Sequence, residues 1–226
     1  MKIAIISDIH GNLPALEAVL STISNLSCDE IICLGDIVGY GARPNECIQK
    51  LRDLRTPCIL GNHDAAAIEK LSLDYMNRHA RAAIEWTSSV LTTESRRFLE
   101  EAPISLQNSE AYFVHSSPDD PWEWRYIFNQ SEAKSAFTAF SELICFIGHT
   151  HFPIVYADPE SGRRLINVGS VGQPRDRDCR SCFGIYDSIS GAFRWERVEY
   201  SVEVAAKQIR DAGLPVFLAE RLTAGI

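Results

Sequence analysis

The 226-residue sequence has no apolar run approaching the roughly 18 residues that a membrane-crossing helix needs. Nor does it begin with a charged segment, an apolar stretch and a cleavage site, because Met1 leads directly into the strand-like "KIAIIS". A cytoplasmic protein without membrane attachment is expected. Positive charge is also scarce: 22 Lys and Arg stand against 30 Asp and Glu, a net charge of −8. That balance argues against nonspecific nucleic-acid binding, which depends on cations neutralising phosphates, and favours a small substrate. Internal repeats, low-complexity tracts and Pro-, Ser- or Gly-rich linkers are missing, which predicts a single domain over residues 1–226. Cysteines number seven, an odd count, and most lie in apolar runs (Cys33, Cys58, Cys145), so they read as small core residues rather than a disulfide framework. Cys179 and Cys182 make one C-x-x-C with no second, a weak signal for metal or redox chemistry.

What the sequence does have is 46% hydrophobic content in alternating short runs, enough for a substantial core. "KIAIIS" is followed by "NLPALEAVLSTIS", where Asn12 can cap, Pro14 suits a first turn, and Leu13, Leu16, Val19, Leu20 and Ile23 share one helical face. A strand "EIICL", a helix from Pro44 to about Leu54 and a strand "PCIL" come next. Residues 64–101 read as helical with one break near "LTTE", where Thr92 or Thr93 starts a new helix. "AYFVH" and "LICFIG" are further strands, separated by a helix near residues 131–140. From about residue 152 the pattern changes to hairpins, "FPIVYA" with "RRLINV" and "FGIYDS" with "AFRWERVEY", which predicts a second sheet built from them. Two short helices finish the chain, one closing near Gly213 and one after Pro215.

The chemistry is concentrated where strands end. The five strands before the hairpins run into "SDIH", "GD", "GNHD", "VHSS" and "GHTH", and five of the six histidines lie there. His79 alone stands apart, in a helical stretch, as an ordinary surface or partly buried residue. Strand ends of an α/β sheet line one crevice, so these loops should converge. Asp8, His10, Asp36, Asn62, His115, His149 and His151 then supply seven oxygen and nitrogen donors, too many for one four-coordinate site. Two metals sharing a ligand fit the count better. Asp8 with His10, and His149 with His151, are each two apart, a spacing that in extended chain sends both side chains the same way.

"SDIHGN", "LGDIVGYG", "LGNHD", "VHSSP" and "GHTH", in this order, resemble the calcineurin-like metallophosphoesterase superfamily, above all its small YfcE-like phosphodiesterases. The resemblance runs from residue 3 to about residue 188 and takes in "NVGSVGQPRD". It implies the metallo-dependent phosphatase fold, an α/β class: a four-layer α/β/β/α sandwich of two mixed β-sheets flanked by helices. It further implies that Asp8, His10 and His151 hold one divalent metal, that Asn62, His115 and His149 hold another, and that Asp36 bridges them. Such ligands admit Mn, Fe, Zn, Ni or Co alike, and Mn is the ion expected from the resemblance. Paired metals roughly 3.5 to 4 Å apart would activate a water for in-line attack on phosphorus. His63 would protonate the leaving alkoxide, its ring oriented by Asp64 or Asp8.

Substrate contacts are expected from Tyr40, Arg43, Asn167, Arg175 and Arg177, whose loops should lie near the site, with solvated positions as the alternative. "PWEWRY" offers an aromatic wall for a base or aryl group, although packing of Trp122 and Trp124 beneath a loop is the plainer expectation. The sequence departs from the family's pattern at four places: Gly39 replaces a second acid, Ser116 and Arg177 stand where glycine is common, and Val168 replaces a proline. None removes an expected metal ligand. The implied function is a metal-dependent phosphoesterase that hydrolyses phosphodiester or phosphomonoester bonds of small substrates, with homo-oligomerisation left open. The alternative is a noncatalytic metal-binding scaffold or interaction module, because this fold also resembles that of the retromer scaffold subunit.

Overall fold

The computed structural model describes residues 1–226, apart from the side chain of Tyr75. Strand β1 (Lys2–Ile6) lies parallel to β2 (Glu30–Cys33) and antiparallel to β8 (Ser181–Asp187), which in turn pairs antiparallel with β9 (Ala192–Val198). The resulting sheet has the order β2-β1-β8-β9. A second sheet joins β3 (Ser105–Gln107), β4 (Ala111–Val114), β5 (Ile144–Ile147), β7 (Arg164–Asn167) and β6 (Ile154–Ala157) in that spatial order, parallel from β4 to β7 and antiparallel at both edges. Both sheets are mixed.

The layering follows from the two-residue period of β1. Ile3 and Ile5 point between the sheets, where they meet Phe113, Phe146, Ile166 and Val168. Ala4 and Ile6 point the other way, toward Leu16, Val19 and Ile23 of α1 (Leu13–Asn25) and Cys47, Ile48 and Leu51 of α2 (Pro44–Asp53). The second sheet is covered on its outer face by α6 (Gln130–Ala136) through Ala133 and Ala136 against Cys145 and Ile147. The architecture is a sandwich of two mixed sheets flanked by helices, as the resemblance implies.

Several expectations are corrected. The C-terminal hairpins do not make a sheet of their own: β6 and β7 complete the second sheet, while β8 returns to the first as the neighbour of β1, buried from Ser181 to Tyr186. "PCIL" contributes only one parallel bridge, Cys33 to Cys58. Residues 64–101 divide into α3 (Asn62–Ala67), a 3₁₀ turn (Leu73–Tyr75), α4 (Arg78–Val90) and α5 (Thr93–Glu101). Side-chain caps set two of these starts, with Asn77 accepting from His79 and Ala80, and Thr92 accepting from Ser95. The last helices, α7 (Val202–Asp211) and α8 (Val216–Ala224), pack with Ala80, Ala83 and Tyr40 at the edge of the candidate site. No helix among the described residues is long and apolar enough to cross a membrane.

Candidate metal centre

The loops after β1, β2, β4 and β5, with the N-terminus of α3, converge at one end of the sandwich. Asp8, His10, Asp36, Asn62, His115, His149 and His151 are all buried there. The paired ligands are not extended as their spacing predicts. Asp8, His10, Asp36, His149 and His151 have φ of 53°, 50°, 51°, 67° and 65°, the left-handed region that non-glycine residues seldom adopt. Backbone bonds hold the bends: Asp8 and His10 donate to the carbonyls of Gly35 and Asp36 at 3.0 and 2.9 Å, and His149 N–H donates to Asp8 Oδ2 at 3.0 Å. Strain of this kind collects where function requires a side chain to be aimed.

The histidine tautomers follow from what each ring touches. A backbone carbonyl only accepts, so the ring nitrogen facing it carries the proton and the other carries a lone pair. Nδ1 of His10, His115 and His151 faces Val38 O, Leu34 O and Gln173 O at 3.1, 2.8 and 2.6 Å, which leaves Nε2 of each ring as the lone-pair donor when that ring is neutral. His149 is reversed: its Nε2 faces Trp124 O at 2.8 Å and Nδ1 is the free donor. Asp8 groups with His10 and His151, and Asp36 with His115 and His149, with ligand atoms within 4.8 Å of one another in each group, and a third such group joins His10 and Asp36 to His63. Asp36 Oδ2 faces the first two groups, 3.7 Å from His10 Nε2 and 3.3 Å from His115 Nε2.

Whether these residues suit a cation can be judged from the polar atoms left over. His10 Nε2 and His151 Nε2 are 3.1 Å apart with lone pairs opposed, a repulsive contact unless a proton or a cation lies between them. Asp8 Oδ1, Asn62 Oδ1 and His115 Nε2 are buried with no hydrogen-bond partner. Burial would raise both carboxyls, yet the imidazoles of His151 and His115 beside Asp8, and of His115 and His63 beside Asp36, hold each below the usual range. Burial pushes His149 down to about 3 and also lowers His10 and His151. His115 is the exception: burial opposes its cation, but Asp36 and then Asp8 raise it to about 9. The metal-free cluster therefore holds two carboxylates against one imidazolium, and the donor set fits divalent ions.

Residues 1–188 match the calcineurin-like phosphoesterase superfamily domain. The chain belongs to that superfamily. It is similar to an uncharacterized protein of Methanocaldococcus jannaschii, 40% identical over 240 residues that cover 99% of this chain and 98% of the relative. The phosphodiesterase YfcE of Escherichia coli is 28% identical over 199 residues, 83% of this chain and 88% of YfcE. The crystal structure of a metallophosphoesterase from Sphaerobacter thermophilus superimposes with a TM-score of 0.90 and 42% identity, covering 100% of this chain and 99% of the other. Membership of this superfamily implies divalent metal ions.

Around the cluster, the other expected residues divide. His63 is buried beside it, its backbone N–H donating to Asp36 Oδ1 at 2.8 Å and its ring 4.8 Å from that of His10. Asp64 does not touch that ring: its two oxygens accept from Val38 N at 3.0 Å and Gly61 N at 3.1 Å, clamping the Asp36 loop to α3. Burial and the nearby Asp36 raise its carboxyl to about 7. Asn167 is likewise spent on structure, donating to Gly148 O and Thr150 Oγ1 at 2.5 and 2.9 Å and accepting from Gly169 N, so it fixes the loop that carries His149 and His151. Arg43 pairs with Glu46 at 3.1 Å on the surface. Arg177 is exposed with φ 68°, the backbone state that explains glycine as the family's usual residue there.

Tyr40 and Arg175 do come to the edge of the site. The Tyr40 ring lies 4.7 Å from that of His10 and 4.5 Å from that of His63. Its neighbour Gly39 has φ +88°, and a Cβ there would lie 2.6 Å from His63 Nδ1, which leaves no room for the family's second acid. A cleft of about 410 Å³ opens from His63, Asn62 and His149, walled by Trp122, Trp124 and Tyr126. Trp124 is buried as expected, but Trp122 is half exposed. Tyr126 was hidden inside "PWEWRY", yet its ring stacks on His149 at 4.0 Å and 18°.

Proposed function

We propose that residues 1–226 act as one domain that hydrolyses phosphodiester or phosphomonoester bonds of small substrates with the help of two divalent metal ions. The opposed lone pairs of His10 and His151, backed by three other unpartnered donors, carry this reading. Asp8, His10 and His151 would hold one ion, Asn62, His115 and His149 the other, and Asp36 both. Such ions supply Lewis acidity toward phosphoryl oxygens and a water made nucleophilic near neutral pH.

The chain's own residues do the rest. Gly39 and Tyr40 wedge the His63 ring against the cluster, and Nδ1 of that ring is buried without a partner. Its other nitrogen is then the one that exchanges a proton with the leaving oxygen. Burial holds His63 down to about 4 in the metal-free protein, and Asp36 opposes that lowering. An anionic phosphate beside the ring acts in the same direction as Asp36, so substrate binding promotes the protonated form. The aromatic wall around Trp122 and Tyr126 accepts an apolar leaving group while the phosphate faces the metals.

The test is hydrolysis of bis(p-nitrophenyl) phosphate by metal-stripped and Mn-restored protein. Turnover should vanish on stripping and return with the ion, and activity independent of metal would overturn the mechanism. Absence of turnover by fully metallated protein on a broad panel of mono- and diesters would favour the noncatalytic scaffold instead.

A further inference from the structure

One side of Tyr40 has no part in the hydrolysis just described. Two guanidinium groups sit against its ring, Arg175 with Cζ 5.9 Å and Arg221 with Cζ 5.7 Å from the centroid. They come from distant parts of the chain, Arg175 from the loop after β7 and Arg221 from α8, beyond residue 188 where the superfamily match ends. Arg175 pairs with no carboxylate among the described residues, and its Nη2 donates to Gln173 Oε1 at 3.0 Å. Arg221 Nε reaches the main-chain oxygen of Ile226, the last residue of the sequence, at 2.5 Å. Arg175 Nε is buried with no partner at all.

This is an expensive arrangement in a chain of net charge −8, where acidic residues outnumber basic ones. Burial, then the neighbouring charge of Arg175, hold Arg221 down to about 10. The pair is nonetheless rigidly presented, because Arg221 also lies over the Phe217 ring at 5.5 Å and that ring is stacked on His79 at 4.7 Å. The same Tyr40 ring lies 4.7 Å from the ring of His10 and 4.5 Å from that of His63, which puts the two guanidinium groups one aromatic ring away from the cluster. A second anion placed here would neutralise two preorganised guanidinium groups and lie next to a phosphate held by the metal ligands.

We propose that Arg175 and Arg221 form an anion subsite beside the metal cluster that selects substrates carrying a second phosphoryl group adjacent to the one cleaved, such as organic diphosphates, over simple monophosphate esters. The inference rests on the phosphoesterase reading. The Tyr40 ring then touches both parts of the site, His10 and His63 of the cluster and the two guanidinium groups.

The test compares two slowly hydrolysed ligands that share base and ribose, adenosine 5′-O-thiomonophosphate and α,β-methylene adenosine diphosphate, by calorimetric binding to the metal-loaded full chain. The wild type should bind the diphosphate about tenfold or more tightly than the monophosphate, as expected for charge-assisted hydrogen bonds. Arg221→Gln and Arg175→Gln should each cut that preference to less than about threefold, and Arg221→Lys should keep part of it. Arg175 is in a loop, so its variant remains informative if substitution in α8 unfolds the chain. A wild-type preference near unity, or one unmoved in both glutamine variants, overturns the subsite. Turnover of bis(p-nitrophenyl) phosphate measured alongside separates the two readings: turnover without the preference removes only the subsite, whereas loss of both turnover and binding removes the phosphoesterase reading with it.

Discussion

His63 is the residue whose chemistry is most exposed to test. If it protonates the leaving oxygen, His63→Ala should slow alkyl phosphate esters by about 10²-fold or more, and p-nitrophenyl esters, whose leaving group needs no proton, by less than about tenfold. Equal losses on both, with metal content unchanged, would remove that role. Gly39→Ala tests the same ring from behind. The new methyl meets His63 Nδ1 at 2.6 Å in a left-handed position, so destabilisation of about 1 kcal/mol or more is expected, together with the same leaving-group dependence. Thermal melting and paired kinetics check both parts. At this scale the clustering of the donors was legible, because each follows an apolar run and their order matches a known set of motifs. Their tautomers were not. The carbonyls that fix His10, His115 and His151 lie 28, 81 and 22 residues away, and only the folded backbone brings them to the rings. Tyr126 was missed for a similar reason, since nothing in "PWEWRY" tells which aromatic turns toward His149.

At the scale of elements, caps and loop clamps carry the site. Asn12 Oδ1 accepts from Ala15 N at 3.2 Å to start α1, and its Nδ2 donates to Gly172 O at 2.8 Å, tying the first site loop to the loop after β7, whose Gln173 carbonyl faces the His151 ring. Asn12→Ala should cost about 1 to 2 kcal/mol of stability, read from denaturant unfolding. Asn167→Ala touches no metal, yet it frees the loop bearing His149 and His151, so Mn affinity should fall by about 10- to 100-fold in a metal titration. The start of α1, the span of α2, the end of α7 and the start of α8 were readable from caps, proline and glycine because those signals are local. The division of the hairpins between two sheets was not, since β8 is assigned to its sheet by pairing with β1 across the whole chain. The break near Thr92 was read correctly, but the short edge strand β3 and the division between α3 and α4 escaped for want of any strong period.

For the whole molecule, the buried cluster sets the pH response. His63 and His149, lowered to about 4 and 3, stay neutral in the fold but not in the unfolded chain, so stability is lost as pH falls from 6.5 toward those values. Asp64 and His115, raised to about 7 and 9, act oppositely: their contribution is complete below the unfolded values of 3.8 and 6.5 and disappears as pH rises through the folded ones. The metal-free protein should therefore melt highest near pH 6.5. Divalent ions must displace the His115 proton, so their stabilising effect should grow as pH rises toward about 9. Melting curves across pH with and without Mn would reveal both trends.

The account turns on Asp36 facing two sets of imidazole donors, and a count of bound ions addresses that directly. Metal-stripped protein titrated with Mn should take up two ions per chain, and Asp36→Ala should hold one at most. A wild type that binds a single ion or none, or an Asp36→Ala chain that still binds two, would contradict it.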